Sequence, residues 1–376
     1  MKILMISGDR LTPCGGRGPL WETQRGFSKH FERVDILLPR PDGPVTTRQI
    51  LGNVYLHPSE SGRVGLVNSW KRTGLQLLEE HGHELMVAHD YGLFMAGRAC
   101  AWLSRRTGVP YLSEIHHVPG YPIAASWRER FECAATRMYL RWAENKACAF
   151  RVVNAGELAP LLEQLGVPRE KILVLGSLYI DLEVFRPVAT PPPREQDIVY
   201  AGRFASNKGL DKLIDALALL RSRGRDYRML FIGMGPLEGM LRARARSQGV
   251  EDLLRIRGWT DSTAELADVY RRSGVVVCAS SCEGGPRATV EGMACGIPTV
   301  STKVGMMVEL IKDGWNGWHA DFTVPGLAQA LDNVLADEAK RLAMGRNAHE
   351  SVQRFDYQST IDAYAAGMKQ LARKRA

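Results

Sequence analysis

Short apolar segments rich in β-branched residues alternate along the chain with longer segments that have the periodicity of amphipathic helices. In the first half, the pattern predicts strands at Lys2–Ser7, Arg33–Leu38, Glu84–His89, Val109–Ile115, Arg151–Asn154 and Lys171–Leu175. In the second half, it predicts strands at Asp197–Ala201, Arg228–Ile232, Leu254–Arg257, Gly274–Ala279 and Ile297–Ser301. Alternation of strand and helix is typical of α/β proteins whose parallel sheets are covered by helices on both faces.

A proline-rich segment separates the two sets of strands. Arg186–Arg194 holds four prolines in nine residues, which favours extended chain and cannot continue a helix. After this linker the pattern of strand, glycine-containing loop and helix starts again. The 376 residues are therefore predicted to form two doubly wound domains that face a cleft. Ligands of such sheets bind at the carboxyl ends of the strands, so the loops there are the candidate sites.

Composition and charge narrow the class of protein. The net charge of +8 is divided equally, with 23 basic and 19 acidic residues up to position 186 and 26 and 22 after it. An anionic partner fits this excess, but a nucleic-acid-binding surface would show clustered charge. Seven scattered cysteines, a first apolar segment too short for a signal peptide and the lack of an 18-residue apolar run predict a cytoplasmic protein with reduced thiols.

The loop after the first strand of the second half is a candidate anion site. In Ala201–Gly209, Arg203 ends the strand and Lys208 precedes an amphipathic helix predicted at Leu210–Arg221. Two cations beside a helix N-terminus can bind a phosphate group. The alternative is a pair of solvated surface charges near a helix cap.

A second candidate loop follows the apolar strand VVVCAS. Two glycines and Pro286 lead into a helix whose first turn offers the backbone N–H groups of Arg287, Ala288 and Thr289 to a diphosphate. Glu283 and Glu291 could accept hydrogen bonds from sugar or ribose hydroxyls. Alternatively, the two glutamates only complement the positive end of the helix, which suits Glu283 better than Glu291.

Two features of the first half are weaker candidates. The glycines of Thr12–Gly18 would permit close approach of a ligand, although a flexible turn explains them equally well. His116 and His117 follow the strand that ends at Ile115, and His89 ends the preceding strand, so these side chains could line the same cleft. A histidine in such a position is more often a hydrogen-bonded structural residue than a catalyst.

Several of these stretches resemble motifs of the retaining GT-B glycosyltransferases often called GT4 or glycosyl transferases group 1. EGGPRATVEGMACGIPTV resembles the family's segment with two glutamates, here Glu283 and Glu291. AGRFASNKG resembles its Gly-Arg…Lys-Gly loop, FIGMGP its Gly-x-Gly-Pro turn, and VPYLSEIHH its strand that ends in histidine. Gly15-Gly16 occupies the place of its glycine loop. The resemblance covers essentially the whole chain.

The resemblance implies a domain plan and a role for each matching residue. It implies an acceptor-side domain at 1–186, a nucleotide-sugar-binding domain at 187–355, and a helix at 356–376 that crosses back to the first domain. Gly16, Arg203, Lys208, Arg287, Ala288 and Thr289 would bind the donor diphosphate. Glu291 would hold the ribose, while Glu283 and His116 would be the catalytic residues at the transferred sugar.

The function implied is retaining transfer of a sugar from a nucleoside diphosphate sugar to a hydroxyl of a glycan, glycolipid or small-molecule glycoside. No metal or other cofactor is implied, and the sequence lacks an Asp-x-Asp motif. A GT-B nucleotide-sugar epimerase or hydrolase is the alternative, and a basic nucleic-acid-binding protein is a more distant one. Polysaccharide or glycoconjugate biosynthesis is the expected context.

Residues 126–146 place Arg130, Arg137 and Arg141 on one helical stripe and Phe131, Met138 and Trp142 on the adjoining one. One interpretation is an interfacial helix that contacts the inner face of the membrane peripherally. The interpretation favoured by the pattern alone is a helix whose apolar stripe packs on the sheet while its arginines are solvated.

Overall fold

The structure, a computed structural model, describes residues 1–90, 94–176 and 178–373. Its first domain is built on an eight-stranded sheet with the strand order β3-β4-β2-β1-β5-β6-β7-β8. The strands are β1 (Lys2–Ile6), β2 (Arg33–Leu38), β3 (Arg48–Ile50), β4 (Val54–Pro58), β5 (Leu85–His89), β6 (Tyr111–Ile115), β7 (Ala149–Val152) and β8 (Ile172–Val174). Its helices are α1 (Pro19–Phe27), α2 (Leu66–His81), α3 (Met95–Thr107), α4 (Trp127–Ala143) and α5 (Leu158–Gln164).

The second domain has a six-stranded parallel sheet with the order β11-β10-β9-β12-β13-β14. The strands are β9 (Gln196–Ala201), β10 (Met229–Ile232), β11 (Leu254–Arg257), β12 (Ser273–Cys278), β13 (Thr299–Thr302) and β14 (Gly317–Ala320). The helices of this domain are α6 (Leu210–Ser222), α7 (Glu238–Ser247), α8 (Thr263–Arg271), α9 (Arg287–Ala294), α10 (Met307–Leu310), α11 (Val324–Leu335) and α12 (Glu338–Ser351), and α13 (Tyr357–Arg373) follows them in the chain. Two doubly wound α/β domains were predicted, and this fold class is confirmed.

Burial explains the strand pattern. All five β6 residues and all six β9 residues are buried, because helices cover both faces of each sheet. The edge strand β3 differs: it is short, largely exposed and antiparallel to β4, so it carries no apolar run and the hydrophobic pattern missed it.

The strand predicted at Arg151–Asn154 lies earlier, at Ala149–Val152. Asn154 instead has a local role at the start of α5, where its Oδ1 accepts hydrogen bonds from the N–H groups of Glu157 and Leu158. An asparagine that satisfies two free N–H groups at a helix start favours the end of the strand over its continuation.

The last helix, α13, packs on the first sheet. Its buried residues Ile361, Tyr364, Ala365 and Met368 join the cluster formed by β1, β2 and Phe27 of α1. The end of the helix predicted at 356–376 falls on residues 374–376, outside the described residues.

Within the described ranges, no helix combines the length and the apolar character needed to cross a membrane. The interpretation in which the apolar stripe of α4 packs on the sheet is wrong. Trp127, Phe131 and Met138 are 82%, 67% and 74% exposed. The helix packs through its opposite face instead, with Thr136, Tyr139, Leu140 and Ala143 buried.

Candidate active site

The two sheets bring their switch points to the same cleft. In the second sheet, β9 lies between β10 and β12, so the loops after β9 and β12 leave in different directions and open a crevice between them. Gly209 ends the first of these loops in the left-handed region at φ +60°, and a Cβ there would meet the Ala279 carbonyl at the end of β12. A glycine at this position therefore lets the two loops lie close together.

A cavity of about 340 Å³ occupies this crevice. Its wall includes most of the residues that the sequence assigned to the donor: Arg203, Lys208, Glu283, Arg287, Ala288, Thr289 and Glu291. Trp259, which is 48% exposed, borders the same cavity. The structure thus brings together cations, carboxylates and a helix N-terminus, which are the groups that a nucleoside diphosphate sugar requires.

Lys208 and Glu283 form an ion pair inside this cavity. The Lys208 ammonium contacts Glu283 Oε1, and the Ser280 hydroxyl donates to the same oxygen at 2.7 Å. Both charged side chains are mostly buried, at 14% and 16% exposure. Ser280 was not a predicted site residue, although it stands in the predicted loop three positions before the glutamate. The pair thus places a carboxylate, which can accept hydrogen bonds from hydroxyl groups, directly beside a cation.

Arg287 and Glu291 form the second ion pair, on the first two turns of α9. Arg287 Nε lies 3.3 Å from Glu291 Oε1, and the Arg287 guanidinium also donates to the Tyr179 carbonyl at 2.7 Å. Burial raises the pKa of Glu291 to about 7, and the charge of Arg287 only partly counteracts this. Glu291 therefore exchanges its proton near neutral pH.

The first turn of α9 points its N–H groups at the cavity. The N–H of Thr289 already donates to the Pro286 carbonyl at 3.1 Å. Arg287 and Ala288 are consequently the better anion donors of the three predicted residues, because this turn does not use their N–H groups.

The first domain contributes a second cavity of about 550 Å³. Ser7 and Asp9 after β1, His89 at the end of β5 and His116 after β6 line it, together with Arg287 from the second domain. Arg287 lines both cavities, so they adjoin in the cleft between the domains.

The two candidate histidines have different surroundings. His116 Nε2 lies 3.4 Å from Glu114 Oε2 in the first-domain cavity. Loss of hydration lowers the pKa of His117, and Glu283 and Lys208 are among the charges that act on it. The predicted catalytic histidine, His116, therefore lies beside Glu114 of its own domain. His117 instead lies close enough to Lys208 and Glu283 of the second domain for their charges to affect its pKa.

Gly16 does not join the other predicted donor residues. Its N–H donates to the Leu11 carbonyl at 3.1 Å across a 3₁₀ turn at Thr12–Cys14. Gly16 lines neither cavity. Its role in diphosphate binding stays a prediction.

Direct contacts join the domains beside these cavities. The Asn154 amide donates to the Gly284 carbonyl at 3.3 Å, and Cys282 Sγ lies 3.3 Å from the Val118 carbonyl. A Cβ on Gly284 would collide with the His116 carbonyl of the opposite domain. Glycine at 284 thus permits the loop after β12 to rest against the loop after β6.

Two family models match the chain, one in each domain. The model of glycosyl transferases group 1 matches residues 182–351, and that of the glycosyl transferase 4-like domain matches residues 20–177. The chain belongs to the glycosyl transferases group 1 family. The resemblance inferred from the motifs is therefore confirmed.

Individual relatives of this group 1 chain support the assignment. A D-inositol 3-phosphate glycosyltransferase of Arthrobacter sp. (strain FB24) is 32% identical over 208 residues, which are 51% of this chain and 49% of that protein. The match spans about half the length of the first relatives.

Solved structures share the GT-B fold of this group 1 chain. Sucrose-phosphate synthase from Thermosynechococcus elongatus gives a TM-score of 0.78 at 20% identity, covering 99% of this chain and 98% of that one. HepE of Anabaena, solved in complex with UDP-glucose, gives 0.74 at 19% identity, covering 98% and 99%. At such identities the likeness concerns the fold.

Proposed function

We propose that this chain transfers a sugar from a nucleoside diphosphate sugar to a hydroxyl acceptor, with retention of configuration and without a metal ion. The observation that carries the proposal is the cavity at the second switch point, where Arg203, Lys208, Glu283 and Glu291 surround the N-terminus of α9. Family membership supports the reaction class, and the UDP-glucose complex of HepE supports the donor class.

In this proposal each group of the cavity takes one part of the donor. Arg203, Lys208 and the N–H groups at the start of α9 bind the diphosphate, and Glu291 accepts hydrogen bonds from the ribose hydroxyls. Glu283 holds hydroxyls of the transferred sugar. Trp259 borders the cavity, and its proposed partner is the base.

The chemistry follows from where charge develops. When the bond between the sugar and the diphosphate breaks, negative charge accumulates on the leaving phosphate, and fixed cations and a helix N-terminus stabilise it there. In front-face transfer, the acceptor oxygen bonds to the anomeric carbon on the side that the phosphate leaves. The acceptor proton passes to the departing phosphate oxygen. The positively charged sugar then needs orientation by hydroxyl contacts more than a strong base.

The donor class can be tested without knowing the acceptor. The melting temperature of the protein is measured with a panel of UDP, GDP, ADP and TDP sugars. One of these nucleotide sugars should raise it, because a ligand that binds only the folded state stabilises that state. Lys208→Ala should abolish the shift, whereas Lys212→Ala, which removes the same charge in α6, should keep it. No shift with any member of the panel contradicts the proposal.

The rate at which the donor is consumed distinguishes a transferase from an epimerase or hydrolase. A transferase releases nucleoside diphosphate much faster when acceptors are supplied, whereas an epimerase or hydrolase consumes the donor at the same rate without them. The acceptor classes to supply are a glycan, a glycolipid and a small glycoside. Equal rates with and without all three would favour the alternative.

We further propose that α4 is the surface by which the enzyme contacts an anionic membrane. Its exposed face carries Trp127, Phe131 and Met138, and the exposed arginines Arg130 and Arg137 lie beside them. Aromatic side chains bury well in the headgroup region, and each arginine near an anionic surface adds about 1 kcal/mol. The exposed apolar side chains suit the lipid headgroup region and the arginines suit its negative charge, so the proposed partner is a membrane with acidic lipids.

The position of α4 relates this surface to the cleft. The segment between His116 and α4 contacts the second domain, with the Ile123 N–H donating to the Ser281 carbonyl at 3.4 Å. A membrane bound by α4 would therefore lie on the side of the molecule where the segment before α4 meets the second domain.

Flotation with vesicles tests the membrane proposal. The protein should float with phosphatidylcholine vesicles that contain phosphatidylglycerol, and less at high salt, because salt screens the arginines. Trp127→Ser combined with Phe131→Ser should prevent flotation, while the control Trp315→Ser, another exposed tryptophan, should not. Failure to float with acidic vesicles would remove the proposal.

A further inference from the structure

Ser280, at the end of β12, is a buried serine that contacts one of the two carboxylate oxygens of Glu283. Ser280 is 1% exposed, and its hydroxyl donates to Glu283 Oε1 at 2.7 Å. A carboxylate in an ion pair can only accept hydrogen bonds, so the hydrogen of this bond belongs to Ser280. Because a serine hydroxyl carries a single hydrogen, Ser280 donates to Glu283 and to no other group.

The two oxygens of Glu283 have different surroundings. Oε1 is contacted by two donors, the Lys208 ammonium from the loop after β9 and the Ser280 hydroxyl. In the part of the chain that the structure describes, no residue donates a hydrogen bond to Oε2. Glu283 lines the donor cavity, so Oε2 is the oxygen that can accept hydrogen bonds from a ligand there.

Ser280 is itself fixed by its neighbours in the second domain. The Thr302 hydroxyl of β13 donates to the Ser280 carbonyl at 2.6 Å. Cys278 Sγ lies 3.6 Å from Ser280 Oγ. Burial raises the pKa of the Cys278 thiol, so this thiol keeps its hydrogen and can donate to the serine oxygen. The main chain and the hydroxyl of Ser280 are therefore both held in place.

The loops that carry Lys208 and Glu283 are joined by more than their ion pair. The Ser281 N–H donates to the Asn207 carbonyl at 2.8 Å. The Asn207 amide in turn donates to the Cys282 carbonyl at 3.4 Å. These contacts keep the two loops together when the Lys208 ammonium moves towards another anion.

We propose that Ser280 is a positioning residue, whose hydroxyl holds Oε1 of Glu283 so that Oε2 faces the hydroxyls of the transferred sugar. The inference rests on the proposed function, in which Lys208 binds the diphosphate and Glu283 the sugar. A Lys208 ammonium shared between a phosphate and the carboxylate holds Glu283 less firmly. The Ser280 hydroxyl then keeps Glu283 in place, and it therefore affects recognition of the sugar and not binding of the diphosphate.

Two adjacent serines provide a matched pair of substitutions. Ser280→Ala removes the hydroxyl that contacts Glu283. Ser281→Ala removes a hydroxyl that is also buried but lies 3.5 Å from the Asn207 carbonyl, and it leaves the backbone bond to Asn207 unchanged. A general loosening of this loop would appear in both variants, whereas loss of the contact with Glu283 would appear only in Ser280→Ala.

Binding measurements separate the sugar from the diphosphate. The probes are the nucleotide sugar of the thermal-shift panel that raises the melting temperature and its nucleoside diphosphate. Ser280→Ala should raise the Kd of the nucleotide sugar about fivefold and that of the nucleoside diphosphate less than about twofold. Ser281→Ala should change either Kd less than about twofold. An equal rise for both ligands in Ser280→Ala, or equal effects of the two variants, would overturn the proposal.

A double substitution tests whether Ser280 acts through Glu283. In Glu283→Ala there is no carboxylate to position, so adding Ser280→Ala should change the Kd of the nucleotide sugar less than about twofold. A further fall in affinity of about fivefold would overturn the proposal. If Ser280→Ala does not fold, Ser280→Cys replaces it. Its thiol is a weaker donor, so the Kd should rise about threefold, again for the nucleotide sugar alone.

Carbon NMR tests the contact without any ligand. In protein labelled with ¹³C at the side-chain carboxyl of glutamate, the Glu283 signal is assigned by its loss in Glu283→Gln. Ser280→Ala should shift this signal and Ser281→Ala should not, and an unchanged signal in Ser280→Ala would overturn the proposal. A shift confined to Ser280→Ala, in a protein that binds no member of the panel, would support the positioning of Glu283 by Ser280 and contradict the proposed function instead.

Discussion

Donor affinity should depend on the ionisation of Glu291. Its carboxylate is proposed to accept hydrogen bonds from the ribose hydroxyls, and burial raises its pKa to about 7 in the protein without donor. Only the ionised form is an acceptor with both oxygens. Affinity should therefore increase as the pH rises through about 7, and each binding event should release a proton when the pH is lower.

The magnitude follows from the fraction of Glu291 that is ionised. With a pKa of about 7, this fraction is about 0.1 at pH 6 and about 0.9 at pH 8. If the ionised form alone binds, the donor Kd should fall about tenfold between these two values. At pH 7, about half a proton should be released for each donor molecule bound.

Isothermal titration with the nucleotide sugar that gives a thermal shift in the panel measures both quantities. This donor has no group of its own that titrates between these pH values, and repeating the titration in buffers of different ionisation enthalpy counts the protons released. Glu291→Gln is the matched variant, because an amide of the same size keeps one acceptor oxygen but does not titrate. The Kd of this variant should be about tenfold higher than that of the wild type at pH 8.

Two results would contradict a role of Glu291 ionisation in donor binding. One is a wild-type Kd that is the same at pH 6 and pH 8 with no proton release. The other is an unchanged pH dependence in Glu291→Gln, which would assign the titration to another group.

Three further substitutions test other parts of the cleft. Lys208→Ala should weaken binding of the same nucleotide sugar by about thirtyfold, since it removes a charge-assisted contact with the diphosphate, while Lys212→Ala should change the Kd less than about twofold; equal effects would count against a diphosphate contact. His116→Ala should lower UDP release at least about tenfold with little change in donor Kd, and an unchanged rate would remove it from the reacting centre. Gly284→Ala should lower turnover at least about tenfold, because its Cβ would meet the His116 carbonyl and hold the domains apart; Gly239→Ala, where a Cβ meets nothing, is the control. Turnover of Gly284→Ala equal to that control would show that this contact is not needed.

The residues of the proposed donor site could be predicted from the sequence for a physical reason. Arg203 and Lys208 flank one loop, and Glu283 and Glu291 flank another, so each pair of functional groups lies within a few positions along the chain. In a doubly wound sheet both loops emerge at the switch point, and topology alone brings them together. The hydrophobic pattern identified the strands β9 and β12 that precede these loops because both are buried along their length.

The groups around Glu114 could not be found in the same way. Arg151 and Tyr364 reach this carboxylate from β7 and α13, and nothing local in the chain relates the three positions. Within a strand, a buried charged residue interrupts the apolar pattern without indicating its partner. The face of α4 was misjudged for a related reason, since an apolar stripe at helical spacing does not reveal whether it meets the sheet or solvent.

The proposed transfer in this cleft retains the configuration of the nucleoside diphosphate sugar. Time-resolved ¹H NMR during turnover of the nucleotide sugar that the protein binds identifies the anomer that forms first, before mutarotation. From an α-linked donor, retaining transfer should first give the free α-sugar, or an α-glycoside when an acceptor is supplied, and Lys208→Ala should abolish the signal. A β anomer as the first product, or turnover undiminished in that variant, would contradict it.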